Sequence, residues 1–370
     1  MNGCDHLVKA AVLTAPNQPI EVQEFPRPEK LEDGAALLKV DLAGICGTDI
    51  HLWHGRLKIP YPVIPGHETV GTLEEMGKGL EKDLLGKPLS VGDRIYFASG
   101  VDCGRCYYCQ IAKEQTRCIN RKVYGITLSC KSPPYLFGGH SEYVYLLPKA
   151  YLFRVPEDLP TESLVSVGCA APTIIHGIEV VGVEAGDSVA IQGAGPIGLF
   201  ALALAKESGA STTVVIDSVK ERLEVAREMG ADFLINTNDA ISPQERVQRV
   251  LDLTDGIGAD VVLECTGSPN ALDDGLLMCR DSGRYLVVGH FTDRGTTAVN
   301  PHLITRKQLK IYGSWGMAPR HYYKALKILR TIHRKYHFEK LITHTFSIEK
   351  AQEAFETVEN RKAVKAVFKP

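Results

Sequence analysis

Hydrophobic and polar positions follow two different rhythms along the chain. Up to about residue 165 the apolar residues fall in short β-type runs, "ALLKVDLAGI", "VGDRIYF" and "SEYVYL", separated by turn signals, which predicts a β-dominated domain. After "VPEDLPTES" strand and helix patterns alternate: "DSVAIQ" strand, "PIGLFALALAKESG" helix, "TTVVI" strand, "VKERLEVAREMG" helix, "ADVVLECTG" strand and "GRYLVVG" strand. That alternation predicts an α/β fold with a parallel, doubly wound sheet over about 170–312. The tail from about 313 mixes one helix with short strands and is expected to return to the first domain.

In the tail, "RHYYKALKILRTIHRK" sets Lys324, Lys327, Arg330 and Arg334 at helical spacing opposite Leu326, Leu329 and Ile332. This reads as an amphipathic helix with a solvated basic face, in preference to a phosphate-binding surface. Composition changes little in the picture. The 370 residues, 44% hydrophobic and 23% charged, suffice for two domains with a core each. A formal net charge of -2 gives no general attraction to nucleic acid or an anionic membrane. The most apolar run, "VAIQGAGPIGLFALALA", is broken by three glycines and a proline, so no membrane span is expected. The start of the chain shows neither an uninterrupted apolar signal core nor a small-residue cleavage site, and a cytoplasmic location is expected.

Cysteine usage alters the picture more. "CGRCYYCQIAKEQTRC" carries Cys103, Cys106, Cys109 and Cys118 within sixteen residues. In a reducing compartment such a cluster persists as thiolates on a metal more readily than as disulfides, and four sulfurs complete a closed tetrahedral zinc site. A Cys-x-x-Cys redox pair would be expected beside a βαβ pattern, whereas the neighbouring Gly, Arg and Tyr residues read as loop. A closed site leaves no position for a substrate, so the chemistry is expected elsewhere.

"GAGPIG" supplies Gly193, Gly195 and Gly198, with Pro196 and Ile197 between them, after an apolar strand and at the start of a helix. Asp217 ends the next strand about 20 residues on. This is the context of a dinucleotide site: the glycines let a pyrophosphate approach the helix N-terminus, and Asp217 accepts hydrogen bonds from the adenosine ribose while repelling a 2′-phosphate. NAD is expected over NADP, with Lys220 and Arg222 close enough to soften the preference.

A third constellation is dispersed: Cys46, Thr48, Asp49 and His51 in "GICGTDIHLWHG", His67 and Glu68 in "IPGHETVG", and Cys169 in "VGCAAPT". Cys46, His67 and Cys169 make a two-thiolate, one-imidazole set suited to a catalytic zinc with an open fourth position. Singly, His67 also reads as a satisfied loop histidine and Cys169 as a small buried hydrophobe.

With these motifs in view, the chain resembles the zinc-dependent alcohol dehydrogenases of the medium-chain dehydrogenase/reductase family over essentially its whole length. The resemblance implies a GroES-like catalytic domain over 1–169 with a structural-zinc lobe at about 100–120, a Rossmann NAD-binding domain over 170–312, and a return over 313–370. It implies two zincs per chain, one structural and one catalytic, the latter on Cys46, His67 and Cys169. Glu68 then stands behind the metal, able to exchange onto it, and Asp49 fixes the His67 tautomer. Thr48 takes the alcohol's proton, His51 passes it to solvent, and Thr173 packs on the nicotinamide. Lys365 stands where relatives often place an arginine on the pyrophosphate. The last gap in the cysteine lobe is one residue longer than usual in the family, which leaves Cys130 as a possible substitute for Cys118.

The expected activity is oxidation of an alcohol, secondary or cyclic, to a ketone or aldehyde by hydride transfer to NAD. Trp53, Leu57 and Trp315 suggest a bulky apolar pocket, or else serve as core or interface aromatics. The alternative is a polyol or amino-acid-type dehydrogenase of the same family; a remote one is a non-enzymatic zinc-ribbon binding protein. Expected partners are a small alcohol or carbonyl substrate and further copies of the chain in a homodimer or homotetramer, with no nucleic acid and no membrane.

Overall fold

In the computed structural model, which describes residues 7–239 and 242–370, the chain forms two compact units. One comprises the residues up to Cys169 together with Met317–Pro370, the other Ala170–Gly316.

The long strand Ala36–Ile45 organises the first unit. Its mostly buried apolar residues are flanked by antiparallel neighbours, Thr69–Met76, Tyr143–Leu146 and Lys365–Phe368. Arg94–Phe97 and Leu152–Arg154 extend the sheet at one side and Ile342–Phe346 at the other. Leu38, Leu73, Ile95 and Val144 meet in the core beneath. Register then decides where the chemistry sits. Ala43 lies opposite Thr69 and Ile45 opposite Ala366, so Cys46, the pair His67–Glu68 and Lys365 converge at one end of the sheet. The basic helix forms as Pro319–Tyr336 within this unit, with Leu326, Leu329 and Ile332 buried.

The second unit is a six-stranded parallel sheet in the order Phe233–Asn236, Thr212–Asp217, Ser188–Gln192, Ala259–Glu264, Cys279–Val287, Lys310–Gly313. This is the doubly wound Rossmann order, whose reversal beside the first strand opens a crevice for a dinucleotide. Among the elements that escaped the pattern reading are strand Phe233–Asn236 and helices Pro243–Asp252 and Asn270–Met278. The strand is a short edge whose Phe233 is exposed, and the first helix buries only Val250, so neither leaves a strong periodic signal. Because Lys310–Gly313 completes the parallel sheet, the chain returns to the first unit at Met317 and not at 313. Among the described residues, no helix is long and apolar enough to cross a membrane.

Candidate active site and metal centres

Cys46, His67, Glu68 and Cys169 come together in the first unit, with one donor atom from each within 4.8 Å of the others. Cys46 caps the short helix Gly47–Trp53: its Sγ accepts the Thr48 N–H at 3.2 Å, and its own N–H donates to Asp49 Oδ2 at 2.9 Å. Asp49 is fully buried, with Oδ1 3.6 Å from His67 Nδ1, while His67 Nε2 lies 3.3 Å from Cys46 Sγ. Thr48 and His51 stand three apart on the same helix and so share a face.

The electrostatics fit a metal. Burial would raise the Cys46 pKa, but the Cys169 hydrogen bond and the His67 charge hold it down at about 6. For His67, burial is likewise outweighed by the Cys46 and Asp49 charges, which raise its pKa well above the ordinary value. The hydrogen bond with Cys46, and then burial, push the Cys169 pKa up. A half-buried thiolate with a buried imidazole and a second thiol at contact distance is a zinc-type donor set, and a cation among them would replace the protons they now share.

Glu68 does not point freely at this cluster. Its Oε1 accepts the Cys169 N–H at 3.1 Å and its Oε2 accepts from Lys365 Nζ. Lys365, expected at the cofactor pyrophosphate, is 2% exposed and ion-paired with Glu68, as a lysine charge buried in a sheet requires. The sequence signal was a lysine opening the apolar strand "KAVF".

Cys103, Cys106, Cys109 and Cys118 form the second cluster, also within 4.8 Å. Cys118 completes it; Cys130 is buried in the hydrophobic core, which removes the substitution considered from the spacing. Hydrogen bonding from the Arg105 backbone leads in bringing the Cys103 pKa to about 6, and burial leads in pushing Cys109 up to about 12. Two supports went unforeseen. Asp102 lies 3.5 Å from Cys109 Sγ and accepts from Tyr151 at 2.6 Å, and the buried Tyr96 donates its hydroxyl to the Gly168 carbonyl beside Cys169.

In the second unit, Gly193 adopts φ +101 at the turn after its strand, and a Cβ on Gly198 would lie 1.8 Å from Gly193 O, so both require glycine. A Cβ on Gly195, the N-cap of helix Pro196–Glu207, would meet only open space, the room a pyrophosphate needs. Asp217 accepts the Ala194 and Val219 N–H groups at 2.6 and 2.8 Å, which fixes its carboxylate beside the glycine turn. Sequence reasoning also missed Glu264, fully buried, which accepts the N–H groups of Thr266, Gly267 and Gly289 and ties two strand ends together next to this turn. Thr173 lies on helix Ala170–Val181.

The aromatic residues are mostly spent on packing. Trp53 is buried against Phe355 and donates its indole N–H to Gln18 O, while Trp315 stacks on Phe291 within the second unit.

Family models match both parts of the chain: an alcohol dehydrogenase GroES-like domain over residues 32–157 and a zinc-binding dehydrogenase domain over residues 196–331. A 5-exo-hydroxycamphor dehydrogenase from Pseudomonas putida is 34% identical, over 97% of this chain and 98% of that protein. An L-threonine 3-dehydrogenase from Pyrococcus horikoshii is 33% identical over 97% of each chain. The crystal structure of an alcohol dehydrogenase from Thermotoga maritima is similar with a TM-score of 0.92 and 35% identity, over 98% of this chain and 99% of that one. The chain belongs to the zinc-dependent alcohol dehydrogenases of the medium-chain dehydrogenase/reductase family. It is an oxidoreductase acting on CH–OH groups, with a Rossmann sheet and a GroES-like domain.

Proposed function

We propose that this protein oxidises the secondary hydroxyl of a small polar substrate, of polyol or amino-acid type, with NAD as hydride acceptor. The observation that carries zinc-dependent oxidation is the cluster of Cys46, His67 and Cys169 with the Glu68 carboxylate beside it. The polar substrate class rests on a relative, the L-threonine 3-dehydrogenase to which the chain is similar.

When bound, zinc in this cluster supplies Lewis-acid stabilisation of charge developing on the substrate oxygen, and NAD supplies the hydride acceptor. Cys46, His67 and Cys169 hold the metal. Asp49 faces the Nδ1 side of His67 at 3.6 Å, which leaves Nε2 for the metal. Thr48 takes the hydroxyl proton and His51 releases it to solvent, without opening the site to bulk water. The glycine turn and the N-terminus of helix Pro196–Glu207 hold the pyrophosphate, Thr173 packs on the nicotinamide, and Asp217 holds the ribose diol. The four-sulfur lobe takes the second zinc. The same reading carries assembly as a homodimer or homotetramer, which light scattering checks, and the clustered reduced thiols favour a cytoplasmic location.

The test is a substrate panel with NAD: threonine-like hydroxy amino acids, linear polyols and bicyclic secondary alcohols. The polar classes should exceed the bicyclic ones in kcat/KM by about tenfold or more, because a site that hydrogen-bonds its substrate rejects analogues that leave its polar groups unpaired. The reverse ranking would select a second reading, a cyclic secondary alcohol, which the hydroxycamphor dehydrogenase relative favours. For the cofactor, Asp217→Ser should shift kcat/KM toward NADP by roughly 10- to 1,000-fold, the scale of one or two charge-assisted hydrogen bonds. Unchanged ratios would remove Asp217 from the ribose site.

A further inference from the structure

Glu68 is the one member of the open cluster whose two oxygens are both engaged by groups that are not metal donors. Oε1 accepts the backbone N–H of Cys169 at 3.1 Å, and Oε2 accepts from Lys365 Nζ. Both partners of the ion pair are almost fully buried, so neither charge can turn to water instead. The space for the pair is supplied by glycine: a Cβ on Gly44 would lie 2.5 Å from Glu68 Oε2 and 3.0 Å from Lys365 Nζ. On the other side, a Cβ on Gly168 would lie 2.8 Å from Glu68 Cβ. Three segments of the sheet therefore converge to seat one carboxylate against one ammonium. Strand Ala36–Ile45 gives the gap, the segment before Thr69–Met76 gives Glu68, and strand Lys365–Phe368 gives the lysine.

The geometry points to Lys365 as a latch that holds Glu68 off the metal, a positioning residue of the open site and not a contact to the cofactor phosphates. The Lys365 ammonium sits on Oε2 with both side chains 1% exposed, so its charge is committed to the carboxylate. With Nζ seated on Oε2, Glu68 reaches the metal only when that contact breaks. The latch thus keeps the fourth position for substrate. The inference rests on the metal reading above.

The test uses the full-length protein with cobalt exchanged into the Cys46–His67–Cys169 position and zinc kept in the four-sulfur lobe. K365M should release Glu68 onto the metal, weakening the ligand-field absorption of a four-coordinate cobalt as coordination rises. K365R, which keeps the charge, should restore the wild-type spectrum, and so should K365M/E68Q, which removes the carboxylate. NADH affinity of K365M should change by less than about threefold, whereas loss of a phosphate-bound cation would weaken it about tenfold or more. If K365M does not fold, K365Q keeps one neutral donor to Oε2 and should give an intermediate spectrum. An unchanged spectrum with weakened NADH binding overturns the latch. Wild-type protein that takes up no cobalt at this position overturns the metal reading as well, and so is told apart from failure of the latch alone.

Discussion

The two cysteine-bearing centres are built on opposite principles. The four-sulfur lobe draws all its donors from residues 103–118, whereas the open cluster gathers Cys46, His67, Glu68 and Cys169 from segments far apart in the chain. Around the lobe, Tyr107, Ile111 and Ile119 are 64%, 71% and 73% exposed, so apolar burial contributes little to holding its shape. The open cluster sits at the end of a sheet whose strands are fixed by a buried core whether or not a metal is bound. A local site with no core relies on its metal for order, while a distributed site borrows order from the fold and can leave a coordination position to chemistry.

Ligand substitutions should break this comparison most sharply. Cys169→Ala is expected to lose the metal of the open cluster and about 10³-fold in kcat/KM, since several kcal/mol of charge stabilisation go with it, while thermal unfolding stays near wild type. Cys118→Ala should instead loosen residues 100–120, seen as faster amide exchange there. An open-cluster substitution that unfolded the protein, with a lobe substitution that left exchange untouched, would reverse the assignment of the two roles.

Chelation asks the same question without mutation. Metal analysis of freshly purified, active protein should give two zinc ions per chain, and mild chelation should remove one with the activity before the second leaves with the order of the lobe. Loss of both in a single phase would mean that the lobe is no more closed than the cluster.

The same contrast explains what the sequence could and could not reveal. The lobe was legible because its donors lie within a few residues of one another, and the cofactor turn because Gly193, Gly195 and Gly198 must stand at fixed spacing where a strand meets a helix. The open cluster was legible only as scattered candidates joined by resemblance, because strand register, not spacing, brings Cys46 to His67. What stayed hidden were partners chosen by packing: Lys365 turned to Glu68, Tyr96 to the Gly168 carbonyl, Tyr151 to Asp102 and Glu264 to three backbone N–H groups. None repeats at a period or belongs to a short motif, and each became visible only through a buried polar group that needed a partner.

The smallest effect is expected from the two tyrosines that back the two centres, and it sharpens the comparison because the substitutions are chemically identical. Tyr96 donates its hydroxyl to Gly168 O, one residue from Cys169, and its ring packs on Tyr322 at 5.3 Å between centroids. Tyr96→Phe keeps the ring and leaves a buried carbonyl unpaired, at a cost of about 1–3 kcal/mol. Because the sheet still holds Cys46 and His67, that loss should fall on global stability and only in part on the metal, weakening the open site about fivefold, on the order of 1 kcal/mol. Tyr151 donates to Asp102 Oδ1 at 2.6 Å, and Asp102 in turn lies beside Cys109. Tyr151→Phe frees a carboxylate next to thiolates in a lobe with little core, so its loss should fall on the metal, weakening the closed site by about 10- to 100-fold, the range for a lost outer partner of a ligand. Competition against a chelator of known affinity reads both constants. Equal losses at the two sites, or the larger loss at the open one, would show that the lobe is held by its packing and not by its metal.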